Sequence, residues 1–184
     1  QHRLLNDRLQ AMGYPTDGID RHTKKLVGRL EKRFSPAMRL SVTAALEHYT
    51  ATFAEIILTS DEAQGLIGHT EVRPILLWHA FEECEHKAVA FDVYTAIGGS
   101  ERTRVWGMRL ATVILFAELV VQTIRSLVGD PAAYNPRRIL TSLRAFRRSP
   151  LFSSAAIERF RSYTRAGFHP DDWDSTEILE RWTR

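Results

Sequence analysis

The segment WHAFEECEHKAVAFDVY, residues 78–94, concentrates the side chains best suited to chemistry. On a helix turning about 100° per residue, His79, Glu83 and His86 fall within about 60° of one another and share one face. Glu83 and His86 form an E-x-x-H pair, the arrangement by which di-iron and di-manganese carboxylate bundles offer an oxygen and a nitrogen to one metal. Solvated Glu and His pairs at this spacing are also ordinary surface features, so the surroundings must decide. The face starts near Leu76 and continues into Ala90 and Val93, which predicts that it turns toward a core, where an unpaired carboxylate is costly. On that ground metal ligation is preferred here to a structural ion pair.

A third donor comes from SVTAALEHYTATFAEIIL, residues 41–58, in which Glu47 sits among Ala44, Ala45, Ala51 and Ala54. Such small neighbours let another helix or a metal approach closely. His48 lies about 100° round the same helix, so it either supports the ligands from behind or faces another helix. Glu55 is about 80° off the line of Glu47 and reads as an outer-face charge. Glu82 and Glu85 flank the His79 face and read as solvated or ion-paired. Cys84 points elsewhere again and reads as a buried, inert thiol. Glu118, alone in the most apolar stretch, calls for a partner or a raised pKa, and an Arg from a neighbouring helix is the expected partner.

Helices must carry all of these residues, and their punctuation is legible. A first helix runs to about Met12 and stops at Gly13; a second covers roughly Asp20 to Phe34. Ser35 and Pro36 cap and open a long helix reaching about Leu58. A polar link containing Ser60, Gly65 and Gly68 leads into a helix from Glu71 to Ile97. Ser100 caps another from about Glu101 to Val128, and Asn135 with Pro136 opens a shorter basic one. From Ser149 onward the pattern predicts one or two short helices around AGFHPDDWD, whose Gly, Pro and Asp residues oppose regular structure. No segment reads as a strand, so the fold class is all-α, with residues 1–130 as a bundle core and 131–184 as a helical extension packed on it.

With 184 residues, 44% apolar and 26% charged, the chain has the composition of one ordinary globular domain. One cysteine excludes an internal disulfide and fits a reducing compartment, so a cytoplasmic location is expected. A net charge of +3 implies no nucleic-acid partner. The excess is local: Arg137, Arg138, Arg144, Arg147 and Arg148 oppose Ile139, Leu140, Leu143 and Phe146 on one amphipathic helix. That helix reads first as a solvated outer face and second as a contact for an anionic membrane surface. Leu110 to Ile124, interrupted by Glu118, falls short of the roughly 20 apolar residues of a membrane span and predicts a buried helix. Neither a serine-hydrolase elbow nor a phosphate-binding glycine loop occurs.

Taken in order, the blocks QHRLLNDRL with GYP, LEHYTA, WHAFEECEHKAVAFDVY and GFHPDD resemble the bacterial family of predicted metal-dependent hydrolases. The resemblance spans nearly the whole chain and implies a ferritin-like four-helix bundle. It assigns Glu47 to the third bundle helix and the E-x-x-H pair Glu83 and His86 to the fourth. The family's first bundle helix, and most of a second with its Q-E-x-x-H-x-x-x-H run, would lie upstream of Gln1. The opening in mid-helix, without an initiator methionine, fits a bundle truncated at its N-terminus, with His2 the last histidine of that run.

A complete di-metal site in this architecture uses about four carboxylates and two histidines. The ligands expected here are Glu47, Glu83 and His86, with His2, His79 and His48 as additional or supporting groups. The expected cofactor is a divalent transition metal, iron before manganese or zinc, and the expected activity is hydrolysis of a small molecule, apolar in one reading, by metal-activated water. Di-iron oxygen chemistry is the alternative, a non-catalytic helical scaffold the third reading, and a homo-oligomer would cover exposed apolar surface.

Overall fold

The structure, a computed structural model, describes residues 7–8, 10–11, 16–68, 72–128 and 134–183. Among these residues the secondary structure is all helical, as the sequence predicts. The elements are α1 (Thr16–Arg33), α2 (Pro36–Thr59), α3 (Asp61–Gly65), α4 (Arg73–His86), α5 (Val89–Ala96), α6 (Glu101–Val128), α7 (Pro136–Arg148), α8 (Ser154–Ser162) and α9 (Thr176–Thr183). The expected site residue His2 lies outside the described residues.

Helix α2 is the hub, with α4, α5 and α6 packed along it. The Ser35 side chain caps it by accepting from the Met38 N–H, and Pro36 occupies its first turn, as the Ser-Pro pair predicts. Its buried alanines, Ala44, Ala45, Ala51 and Ala54, keep the neighbouring helices close. The α2–α6 crossing is tightest at Gly107, where a Cβ would stand 2.3 Å from Ser41 Oγ and 2.9 Å from the Ser41 carbonyl carbon. Around this crossing Tyr49, Phe91, Met108, Tyr163 and Phe168 form one core cluster. A second, made of Ala54, Leu58, Ala80 and Cys84, joins α2 to α4.

The C-terminal residues fold back onto this core. Arg104 of α6, itself buried, donates to the carbonyls of Tyr163 and Arg165, and the Gly167 N–H donates to Glu101 at 2.8 Å. The AGFHPDDWD loop holds one short 3₁₀ turn, Pro170–Asp172, closed by reciprocal bonds between His169 and Asp172. Local side-chain caps thus supply order where the composition opposes longer elements.

Two expectations are corrected. The helix expected from Glu71 to Ile97 is broken by a turn at Lys87 and Ala88. In an unbroken helix the Ala90 N–H would bond the His86 carbonyl; instead it donates to Glu47 Oε2 at 2.9 Å. Lys87 is drawn inward by the Trp173 carbonyl and by Ser175 Oγ at 2.9 Å. The second correction concerns Leu110 to Ile124. No described residue of α6 beyond Ala111 is buried. By length and composition Glu101–Arg125 is able to cross a membrane, but Arg104, Met108 and Ala111 are buried in the protein.

Candidate metal centre

Glu47 of α2 lies within electrostatic reach of Glu83 and His86 at the end of α4. The Glu47 carboxylate is half-buried and its pKa is raised, first by burial and then by the neighbouring Glu83 charge, while the Ala90 N–H and His86 pull it down. One carboxylate oxygen is therefore held by a backbone donor at the start of α5, where the helix dipole favours an anion.

His79 lies one turn before Glu83, with Nε2 3.4 Å from Glu83 Oε1 and Nδ1 4.0 Å from Glu82 Oε2. This shared direction is the one the helical spacing predicts. The face is more open than expected, however. Leu76 and Val93 are exposed, His86 is exposed and only Ala90 is buried. The break at Lys87 and Ala88 changes the helical phase, so Ala90 turns inward while Val93 turns out.

By donor type, two carboxylates and an imidazole suit a divalent transition metal. By geometry they form an open half-shell: among the described residues, no group of three or more His, Cys, Asp or Glu side chains converges to enclose an ion.

Other candidates serve the fold. His48 is buried; its Nε2–H donates to the Arg159 carbonyl at 2.8 Å, and its ring packs on Tyr163 and Phe168. Burial drops its pKa to about 4, so the ring is neutral. It faces α8, the second of the two placements its position allows. Cys84 is buried and its thiol is pushed up to about 11 by burial, as an inert thiol should be.

Two carboxylates depart from expectation. Glu55 is not an outer-face charge but is 3% exposed, paired with Arg159 and bonded by the Ser175 hydroxyl at 2.5 Å. The folded-back C-terminal residues cover what the isolated helix would present to water. Glu118 is paired with His22 of α1 at 2.8 Å, not with an Arg from a neighbouring helix. That bond is the main reason its pKa is lowered.

Lys87, Arg159 and Ser175 were not singled out by the sequence, and together they lock the break. The Ser175 hydroxyl donates to Glu55 and accepts from Lys87, while the Arg159 guanidinium lies 4.8 Å from the Trp173 ring centre. Lys87, a lone cation beside E-x-x-H, was the available signal. His169 and Asp92 also pair, at 2.9 Å, tying the GFHPDD block to α5.

The profile of the predicted metal-dependent hydrolases matches residues 1–174. The chain belongs to this family. Membership implies dependence on a divalent metal. No curated protein and no solved structure matches the chain.

Proposed function

We propose that Glu47, Glu83 and His86 hold a divalent transition metal, iron before manganese or zinc, in part of a ferritin-like bundle, and that the reaction is hydrolysis of a small molecule. The observation that carries this reading is the α4–α5 break, which spends a backbone N–H on one oxygen of Glu47 and holds that carboxylate within reach of the Glu83 and His86 charges. A bound divalent cation supplies Lewis acidity and lowers the pKa of water.

The chain's own groups orient and tune. His79 sits against Glu83 and limits its rotation. Glu47, with its raised pKa, holds a proton to higher pH than an ordinary carboxylate, so protons compete with the cation as pH falls. Di-iron oxygen chemistry is the second reading, favoured by the E-x-x-H pair facing a carboxylate from another helix.

Elemental analysis of the purified chain and of Glu83→Ala, followed by turnover of a chromogenic ester panel, separates these readings. Stoichiometric metal lost in the variant, with metal-dependent ester cleavage, supports the hydrolase. Iron with visible absorption and no ester cleavage supports oxygen chemistry. Absence of metal from the purified chain, with none taken up on reconstitution, leaves a helical scaffold.

A further inference from the structure

Helix α7 is unlike the others. Every one of its residues is exposed, and none of Pro136–Arg148 is acidic, yet the segment carries Arg137, Arg138, Arg144, Arg147 and Arg148. At about 100° per residue, Ile139, Leu140, Leu143 and Phe146 fall within an arc of about 120° that also holds Arg147, while Arg137, Arg144 and Arg148 border one edge of it and Arg138 the other. A solvated helix has no need of that apolar side, and here the side is left open: Leu143 is 55% and Phe146 51% exposed.

The opening continues onto α6. An open groove of about 570 Å³ runs between the two helices, lined by Leu119, Ile124, Leu127, Ile139, Leu143 and Phe146, with Arg138 on its wall. Val120, also on the groove lining, is exposed, as are Val113 and Val128 of α6. One continuous apolar surface is therefore bordered by a cluster of guanidinium groups with no acidic residue on their helix. Basic amphipathic helices of this kind lie in the plane of a bilayer interface, apolar side down, with cations at the headgroups.

We infer that α7 and the second half of α6 form a docking surface for a bilayer containing anionic lipid. The arginines bordering the apolar arc take lipid phosphates, and the groove takes acyl-chain segments. Charge decides between occupants: a second copy would bring its own five arginines to the same face, which repel, whereas an anionic lipid surface complements them.

The test is flotation of the purified chain with phosphatidylcholine vesicles, with and without phosphatidylglycerol, beside light scattering for oligomeric state. Binding to the anionic vesicles should exceed binding to neutral ones on the order of tenfold and weaken as salt rises. Charge reversal at Arg137, Arg138 and Arg144 should abolish that preference, and Leu143→Ser should weaken binding. Both variants alter only exposed residues, so an unchanged circular dichroism spectrum and melting temperature should accompany the loss. No flotation with either vesicle overturns the inference. So does equal binding to both, or a dimer that Leu143→Ser dissociates in a chain that ignores vesicles.

Discussion

Glu47 and Glu55 lie two turns apart on one helix, about 80° from each other around its axis, and live in opposite surroundings. Glu55 has a cation, a hydroxyl and almost no solvent. Glu47 has a single backbone donor, a neighbouring carboxylate and an open side. Burial with full pairing makes a carboxylate part of the scaffold. Partial burial beside a like charge, with a free oxygen, makes one that gains by acquiring a cation. The same helix therefore carries one carboxylate that holds the C-terminal residues in place and one that awaits a partner.

The largest effect expected from breaking this contrast is at Glu55. Glu55→Ala leaves Arg159 and Ser175 without their acceptor and should cost about 3–5 kcal/mol in urea unfolding. Because Ser175 also holds Lys87, the variant should loosen the α4–α5 break and weaken metal binding indirectly. Next is Gly107→Ala, whose added methyl group meets the Ser41 backbone and must part α2 from α6, for about 1–3 kcal/mol by the same assay.

His48 gives a pH signature. Its folded pKa of about 4 lies below the ordinary 6.5, so the unfolded chain takes up the proton first. The stability it contributes is fully present above pH 6.5 and declines as pH falls toward 4, on the order of 3 kcal/mol. His48→Gln keeps a donor for the Arg159 carbonyl and should flatten stability across that window.

The smallest effect is at Glu47 without metal. Glu47→Gln retains an oxygen for the Ala90 N–H and removes the charge that burial penalises. A folded pKa raised above the unfolded one means that ionising Glu47 costs folding stability at neutral pH, so the variant should be neutral to stabilising at pH 7, within about 1 kcal/mol. A large loss would show that Glu47, like Glu55, is part of the scaffold.

Much of this was legible in the sequence because it rests on local rules. Ser35 with Pro36 and Asn135 with Pro136 set helix starts through side-chain caps, and the spacing of His79, Glu83 and His86 sets a shared face. The remainder depends on residues distant in sequence. Glu55 becomes buried only because Arg159 and Ser175 return to it across the chain. The α4–α5 break has no Gly or Pro to announce it, since its causes are Glu47 accepting the Ala90 N–H and the residues near Trp173 capturing Lys87. Hydropathy made the apolar run of α6 look internal, but burial requires close packing on every side, and no described residue beyond Ala111 is buried.

The most direct test of the contrast is a thermal-melt titration of the metal-free chain with iron(II), manganese and zinc, run beside Glu47→Gln. A ligand that binds the folded state raises the melting temperature in proportion to the logarithm of its concentration above Kd. A concentration-dependent rise is expected in the parent chain and should disappear in Glu47→Gln, although the variant is at least as stable without metal. An equal rise in both proteins, or no rise in either, would contradict this expectation.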